Sequence, residues 1–562
     1  MKKYLSPIAA AALAVLLAGC AHRPPPNTVA INLVGLNDFH GNLEAGKFSS
    51  AGGLFGGQRT VQAGGIDTLG AALQAWRKED PELLLVGSGD LIGASQSMSA
   101  MWADEPSIVA MNLLGLRASS VGNHEFDAGR VELLRQQKGG CASPRADKAC
   151  KFAADYSGAR FSYLAANVID MVTNKPVLPA YRIEQVHGVK IGLIGAVLRE
   201  TVGMVLASGV AGLNFADEAD SVNRVLPELR KQGVNVFVLL IHQGGHTVEA
   251  FDKAECSQLQ GPLLDIIKRL DPAIRLVVSG HSHTGYTCRV GERLVTQADM
   301  GGRVLTRIQL QVDTGSNTVQ QVTAHNVVMT PGQYPADPAL DAYLAQVRQR
   351  SAAALAQPVA KLALTPVTRT LNEHGESALG DLVADSMLVG ARHFGAQIAF
   401  MNNHGMRQDL ASGAGLPATV GQAQAVLPYN NDLVVMNLTG AQIIALLEQQ
   451  WSGPKNAARG LLQVSEGFSY SWNRNQPDGS RVVPGSVLLN GVPLDNTSSY
   501  RVATNAFLSE GGDAFPLFIQ GGSRANTGIR DIDALRNYLQ MREQIGKPAG
   551  SAAPLGRIQS TY

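Results

Sequence analysis

Little of this 562-residue chain is charged: Lys, Arg, Asp and Glu make up 17%, and 47 basic against 46 acidic residues leave a formal net charge of +1. A chain without a basic excess has no broad surface to neutralise a nucleic-acid backbone, which argues against DNA or RNA polymers as partners. A small anionic ligand needs only a few local cations or metals. Only five cysteines occur, none in a Cys-x-x-Cys pair, so a cysteine-based zinc cluster or thioredoxin-like redox motif is not expected. Past the first twenty residues no apolar run reaches bilayer-crossing length. Glycine (60) and proline (26) fall short of a low-complexity composition, and no short-period repeat is visible. Hydrophobic residues, at 45%, are ample for large cores, which excludes a disordered chain.

What is present begins with an export signal. Lys2 and Lys3 precede an apolar stretch, Ile8–Ala18, too short to span a bilayer. Leu17-Ala18-Gly19-Cys20 resembles a bacterial lipobox. Residues 1–19 are therefore expected to be removed and Cys20 lipidated, with residues 20–28 a short tether stiffened by Pro24-Pro25-Pro26. Ala21 after Cys20 is compatible with outer-membrane sorting, so the expected location is the periplasmic side of the cell envelope. The other cysteines suit an oxidising compartment. Of three possible pairings, Cys141–Cys150 closes a small polar, basic loop and leaves Cys256 with Cys288.

From residue 29 to about 330, apolar strands alternate with helical patterns, the mark of layered α/β packing. Strands are expected at Ala30–Leu36, Leu83–Gly87, Tyr163–Asn167, Val189–Val197, Val234–Ile241 and Ile274–Ser279. Helices are expected at Asp67–Lys78, Glu105–Leu114, Asp217–Lys231 and Gly261–Leu270, with Asp67 and Asp217 as N-caps. Val304–Val312 and Val319–Val328 read as a closing hairpin. Residues 331–357 form a Pro-bounded linker whose Ala/Gln/Arg-rich stretch, Ala339–Ala356, reads as an exposed interdomain helix. From 358 to 562 the pattern restarts, with helices at Ser377–Phe394, Thr439–Gln450 and Ile532–Gln544 and a strand at Gln397–Asn402.

The chemistry lies just after the apolar strands. Ala30–Leu36 leads into Asn37-Asp38-Phe39-His40-Gly41-Asn42, and Leu83–Val86 into Gly87-Ser88-Gly89-Asp90. Gly122-Asn123-His124-Glu125-Phe126-Asp127, His242-Gln243-Gly244 and Gly280-His281-Ser282-His283 follow. Asp-x-His and His-x-His project alternate side chains the same way from extended backbone, so each offers two ligands to one site. In open α/β sheets ligands collect beyond the carboxyl ends of the strands. Two carboxylates, one amide and four imidazoles suit two divalent transition ions, manganese or zinc, better than calcium. A carboxylate between the two cations would bridge them, and Asp90 is the candidate. Two metals roughly 3.5–4 Å apart activate water and stabilise both oxygens of an in-line displacement.

These motifs, in this order, resemble the calcineurin-like metallophosphatases over residues 29–310, and their 5′-nucleotidase branch over nearly the whole chain after the signal. The resemblance implies a four-layer α/β metallophosphatase sandwich, a linker helix and a C-terminal α+β substrate-binding domain. It implies one metal held by Asp38, His40, Asp90 and His283, and a second by Asp90, Asn123, His242 and His281. It makes His124 the group that stabilises the transferring phosphoryl or protonates the leaving oxygen, with Asp127 orienting it.

In the C-terminal part, Leu427–Asn431 and Asn505–Asp513 resemble the branch's two base-binding segments. Tyr429 and Phe507 would sandwich a nucleobase, with Asn431 and Asp513 bonding base or ribose. Asn402 and Arg407 match the family's Asn-Gly-Gly-Gly-Ile-Arg, with Asn403 and His404 in place of two glycines. The arginine usual just before Glu376–Leu382 is replaced by Gly375, with Arg369 or His374 the available substitutes. The expected function is a tethered dimetal phosphohydrolase acting on small 5′-nucleotides. Its alternative is hydrolysis of UDP-sugars, NAD or 2′,3′-cyclic nucleotides by the same centre. No broken ligand supports a non-catalytic binding protein, and the oligomeric state is open.

Overall fold

The computed structural model describes residues 28–50, 59–413, 415–451 and 461–561. The signal segment, Cys20 and the tether up to residue 27 lie outside the described residues.

Two six-stranded sheets form the N-terminal domain. In the first, Thr28–Leu36, Leu84–Ser88, Leu116–Ser120 and Ser162–Leu164 run parallel, and the hairpin Val304–Asp313/Thr318–Val328 extends it antiparallel. In the second, Val189–Val197, Val236–His242, Ile274–Ser279 and Arg293–Ala298 are the parallel strands. Their near-continuous apolar runs reflect burial on both faces. Ile31, Leu33, Val86, Leu193, Val238 and Val278 fill the space between the sheets. At Gly35 an added Cβ would lie 3.2 Å from Val278, so a larger residue there would push the sheets apart.

Helices cover both outer faces. Ile66–Glu79 and Glu105–Leu114 bury Leu69, Leu73, Trp76, Ile108 and Met111 against the first sheet. Glu218–Lys231 and Pro262–Arg269 bury Val222, Leu226, Leu229, Leu263 and Ile267 against the second. The order helix, sheet, sheet, helix is the expected four-layer sandwich. Asp217 caps its helix as expected, accepting the Asp220 N–H. Asp67 does not cap: the helix starts from Gly65 at φ 88°, and Asp67 stands inside the first turn. A side chain at position 65 would meet Asp67 at 2.6 Å and the Ala45 nitrogen at 2.9 Å, so the tight entry is left to glycine.

The linker helix, Pro338–Leu355, is capped by Asp337. It is not the exposed strut its composition suggests. Leu340, Leu344 and Val347 enter the N-terminal core, and Ser351 accepts the Trp102 indole N–H at 2.8 Å. A narrow stripe at helical spacing is enough to dock it, and the alanines between hide that stripe from a composition-based reading.

In the C-terminal domain a five-stranded sheet, with Ile398–Asn402 and Ser499–Asn505 side by side, carries the helices Ala378–Gly390 and Asp531–Gln544. The helix Gly440–Glu448 and a four-stranded sheet close a second core. Thr439 starts its helix with a full capping box to Gln442. The disulfides are Cys141–Cys150 and Cys256–Cys288, as expected.

Candidate metal centre

Five of the parallel strands deliver a polar motif at their carboxyl ends, and those ends converge from the two sheets. Ligand atoms of Asp38, His40, Asp90 and His283 all lie within 4.8 Å of one another, and so do those of Asp90, His242 and His281. Asp90 belongs to both groups. His40 Nε2 lies 3.1 Å from His283 Nε2, and His283 Nε2 lies 3.4 Å from an Asp38 oxygen. His242 Nε2 lies 3.0 Å from an Asp90 oxygen and has no hydrogen-bond partner among the described residues. Asn123 Oδ1 is likewise buried without one. An unpartnered imidazole nitrogen at the shared carboxylate, and an unpartnered buried amide oxygen on the residue before His124, fit divalent cations, which take such donors as ligands.

The tautomers agree with that fit. His40 Nδ1 lies 2.8 Å from the Gly93 carbonyl, and His242 Nδ1 lies 2.8 Å from the Ser88 carbonyl. A carbonyl only accepts, so each Nδ1 carries the proton and each Nε2 turns a lone pair to the cluster. Burial holds His40 and His281 down at about 3, hence neutral. Burial also opposes charge on His242, but Asp90 outweighs it and raises that imidazole to about 9, so without a cation Nε2 takes a proton, the one a bound cation would displace. Burial pushes Asp38 and Asp90 upward, yet the surrounding imidazoles bring both below the usual carboxylate range.

Strain marks the same residues. Asp38, His40, Asp90, His281 and His283 have φ of 48°, 47°, 51°, 74° and 53°. Such left-handed backbone is costly outside glycine and persists where the surroundings over-determine it. Gly122 shows how little room is left: a Cβ there would fall 2.1 Å from Asp90 Oδ1.

Glu125 is the residue whose part the sequence did not disclose. Buried, it accepts the N–H groups of Asp90 and Leu91 at 2.8 Å, Ile92 at 3.3 Å and Gly122 at 2.5 Å. It thereby holds the turn that aims Asp90. Burial, then the Asp90 charge, raises its carboxyl to about 7. Its place inside Asn-His-Glu-Phe-Asp was the one signal available.

His124 stands at the edge of the cluster, its Nδ1 paired with Asp127 at 2.9 Å and its N–H donated to Asp90 Oδ1 at 2.9 Å. Burial disfavours the imidazolium, but the Asp127 and Asp90 charges prevail and raise it above the ordinary value. The outer ring contact comes from the other domain: Tyr429 stacks on His124 at 5.8 Å and 23°. Arg407 is close enough for its charge to act on both rings, and it has no ion-pair partner among the described residues.

The remaining C-terminal residues hold one another. Asn402 donates to Asp513 at 2.7 Å and accepts from Asn505 at 3.0 Å, while Phe507 lies on Gly512, where a Cβ would meet the ring at 2.5 Å. Asn431 is engaged with Asp531, through its carbonyl at 2.8 Å and its side chain. Gly375, at φ 89°, packs so closely on Leu461 that a Cβ would sit 2.1 Å from it. No arginine fits there. His374 is tied to Ser560 at 2.9 Å. Arg369 instead lies beside Arg407, donating to the Met406 and Arg407 carbonyls at 2.6 and 3.0 Å. His404 is exposed and Asn403 Oδ1 is buried without a partner.

Comparison with known proteins covers both halves. Residues 31–285 match the calcineurin-like phosphoesterase model, and residues 354–520 match the 5′-nucleotidase C-terminal domain. Endonuclease YhcR of Bacillus subtilis is 27% identical over 92% of this chain, which spans 40% of that longer protein. A 5′-nucleotidase of Vibrio cholerae is 23% identical over 99% of this chain and 98% of its own length. The crystal structure of a 5′-nucleotidase precursor from Thermus thermophilus superposes with a TM-score of 0.72 at 28% identity, covering 95% of this chain and 99% of that one.

Proposed function

The chain belongs to the family that joins a calcineurin-like phosphoesterase domain to a 5′-nucleotidase C-terminal domain, and from that premise we propose that it is a dimetal phosphohydrolase removing phosphate from 5′-nucleotides. The observation that carries this reading is the pair of ligand groups sharing Asp90, with His124 between them and Tyr429 of the other domain.

In this reading Asp38, His40, Asp90 and His283 hold one cation, and Asp90, Asn123, His242 and His281 the other. When bound, the two divalent ions, manganese or zinc, supply Lewis-acid polarisation of the phosphoryl group and activation of water. The protein's own part is positioning. Asp127 holds His124 by Nδ1, so that Nε2 carries a proton toward the leaving 5′-oxygen. Arg407 meets a phosphoryl oxygen as an uncommitted guanidinium. Tyr429 and Phe507 offer aromatic faces to the base, while Asn402, Asn431 and Asp513 shape the polar edge of that pocket. We propose further that the protein is exported and held by lipid on Cys20 at the periplasmic face of the outer membrane.

Gly375 favours a second substrate class. With no side chain at the usual arginine position and Arg369 beside Arg407, the anion-binding edge is rearranged, so NAD, UDP-sugars and 2′,3′-cyclic nucleotides belong in the same assay. Residues 27–562 with added manganese are expected to release phosphate from AMP and UMP, and chelator is expected to abolish it. No hydrolysis of any of these substrates, followed as phosphate from AMP and UMP and as nucleotide products from the others, with both metals confirmed bound, would overturn the proposal.

A further inference from the structure

Beside the metal cluster, between the domains, lies a second cavity of about 380 Å³. Ser95, Asp127, Lys148 and Ser208 line it from one domain, and Tyr429 and Arg530 from the other. It shares walls with the site already described: Gly93, whose carbonyl holds His40, lines it, and so does the Tyr429 that stacks on His124. Its volume is that of a small-ligand pocket.

The charges around it are unevenly matched. Asp104 pairs with Arg145 at 2.9 Å, Asp147 with Arg530 at 3.0 Å, and Asp127 with His124. Lys148, half-buried, has no ion-pair partner among the described residues. Burial, then repulsion from Arg145, outweighs the attraction of Asp104 and Asp147 and pushes its ammonium below the ordinary value, a penalty that an anion would relieve.

The lysine is held in place. Its loop is closed by Cys141–Cys150, its own N–H bonds the Arg145 carbonyl at 2.9 Å, and the Cys150 N–H bonds Glu105 at 2.9 Å. The helix Gly129–Lys138 begins at the same cavity, with no side-chain cap among the described residues. Building on the phosphohydrolase reading above, we propose that this cavity binds a second, non-reacting phosphoryl group of the substrate, as in a nucleoside 5′-diphosphate or a dinucleotide, with Lys148 as its cation.

The test compares ADP with AMP on manganese-loaded wild type, K148M and K148R, with thermal unfolding checking that the variants fold. K148M is expected to raise the KM ratio of ADP to AMP about tenfold, and K148R to restore most of the wild-type ratio. An unchanged ratio in folded K148M would overturn the proposal while leaving the phosphohydrolase reading intact. A change only in inhibition of AMP hydrolysis by inorganic phosphate would assign the cavity to the free product and overturn it as a substrate site. Failure of the metal-loaded wild type to hydrolyse AMP or ADP would overturn the underlying reading and this proposal with it.

Discussion

The two halves of the candidate site are built differently. In the N-terminal domain each ligand follows a buried parallel strand and is fixed from behind: His40 by Gly93, His242 by Ser88, and the Asp90 turn by Glu125. The strained backbone at Asp38, His40, Asp90, His281 and His283 shows that the surrounding packing dictates these positions. In the C-terminal domain the candidate recognition residues sit on loops, short helices and one strand end and are held by neighbouring side chains, Asn402 by Asp513 and Asn431 by Asp531, while the ring contact of Tyr429 comes from across the interface. The metal cluster is complete within one domain, whereas the recognition pocket takes its form from two domains meeting. Metal loading and catalysis should therefore answer to N-terminal changes, and affinity for the nucleoside to C-terminal ones.

Substitutions can break that comparison. Asp90→Ala, which removes the carboxylate common to both ligand groups, is expected to abolish phosphate release and lower bound metal measured by elemental analysis; full metal content would refute the shared-ligand assignment. His124→Ala is expected to lower kcat about 10²- to 10⁴-fold, the usual contribution of a general acid, with metal content unchanged. Glu125→Gln replaces an acceptor of four N–H groups by an amide with one oxygen, and is expected to weaken metal binding about 10- to 100-fold in a chelator competition. Tyr429→Ala is expected to raise KM for AMP about tenfold with metal content intact, in line with roughly 1–3 kcal/mol for aromatic stacking on a base, and Tyr429→Phe to restore it. A Tyr429→Ala variant that lost metal would erase the distinction between the two halves. The smallest effect is expected from Glu510→Ala, which removes an exposed interdomain contact to Ser208 at 3.2–3.3 Å; kcat/KM for AMP should move by less than about threefold, as for other exposed polar pairs.

The same contrast governs what could be read in advance. Strand, turn and candidate ligand are neighbours in the chain, so Asn37–Asn42, Gly89-Asp90 and Gly280–His283 make their local structure and their clustering legible. Val189–Val197 and Ile274–Ser279 are strands at their expected limits because apolar runs bounded by turns leave little choice. Glu125 stood in plain view without disclosing its work, since its partners Asp90, Leu91 and Ile92 come from a different strand end. The linker helix reads as exposed from its composition because its three buried apolar side chains are diluted by alanine, glutamine and arginine.

By itself the sequence determined the two-domain order, the strand-end motifs and the donor set, because those depend on residue type and short-range spacing. Only the tertiary structure decided that Glu125 holds the Asp90 turn, that Tyr429 lies on His124, that Leu461 closes the space beside Gly375, and that Lys148 lines an interdomain cavity. Each of these joins residues far apart in the chain. Such contacts are set by how sheets, helices and domains pack, and no local pattern records them.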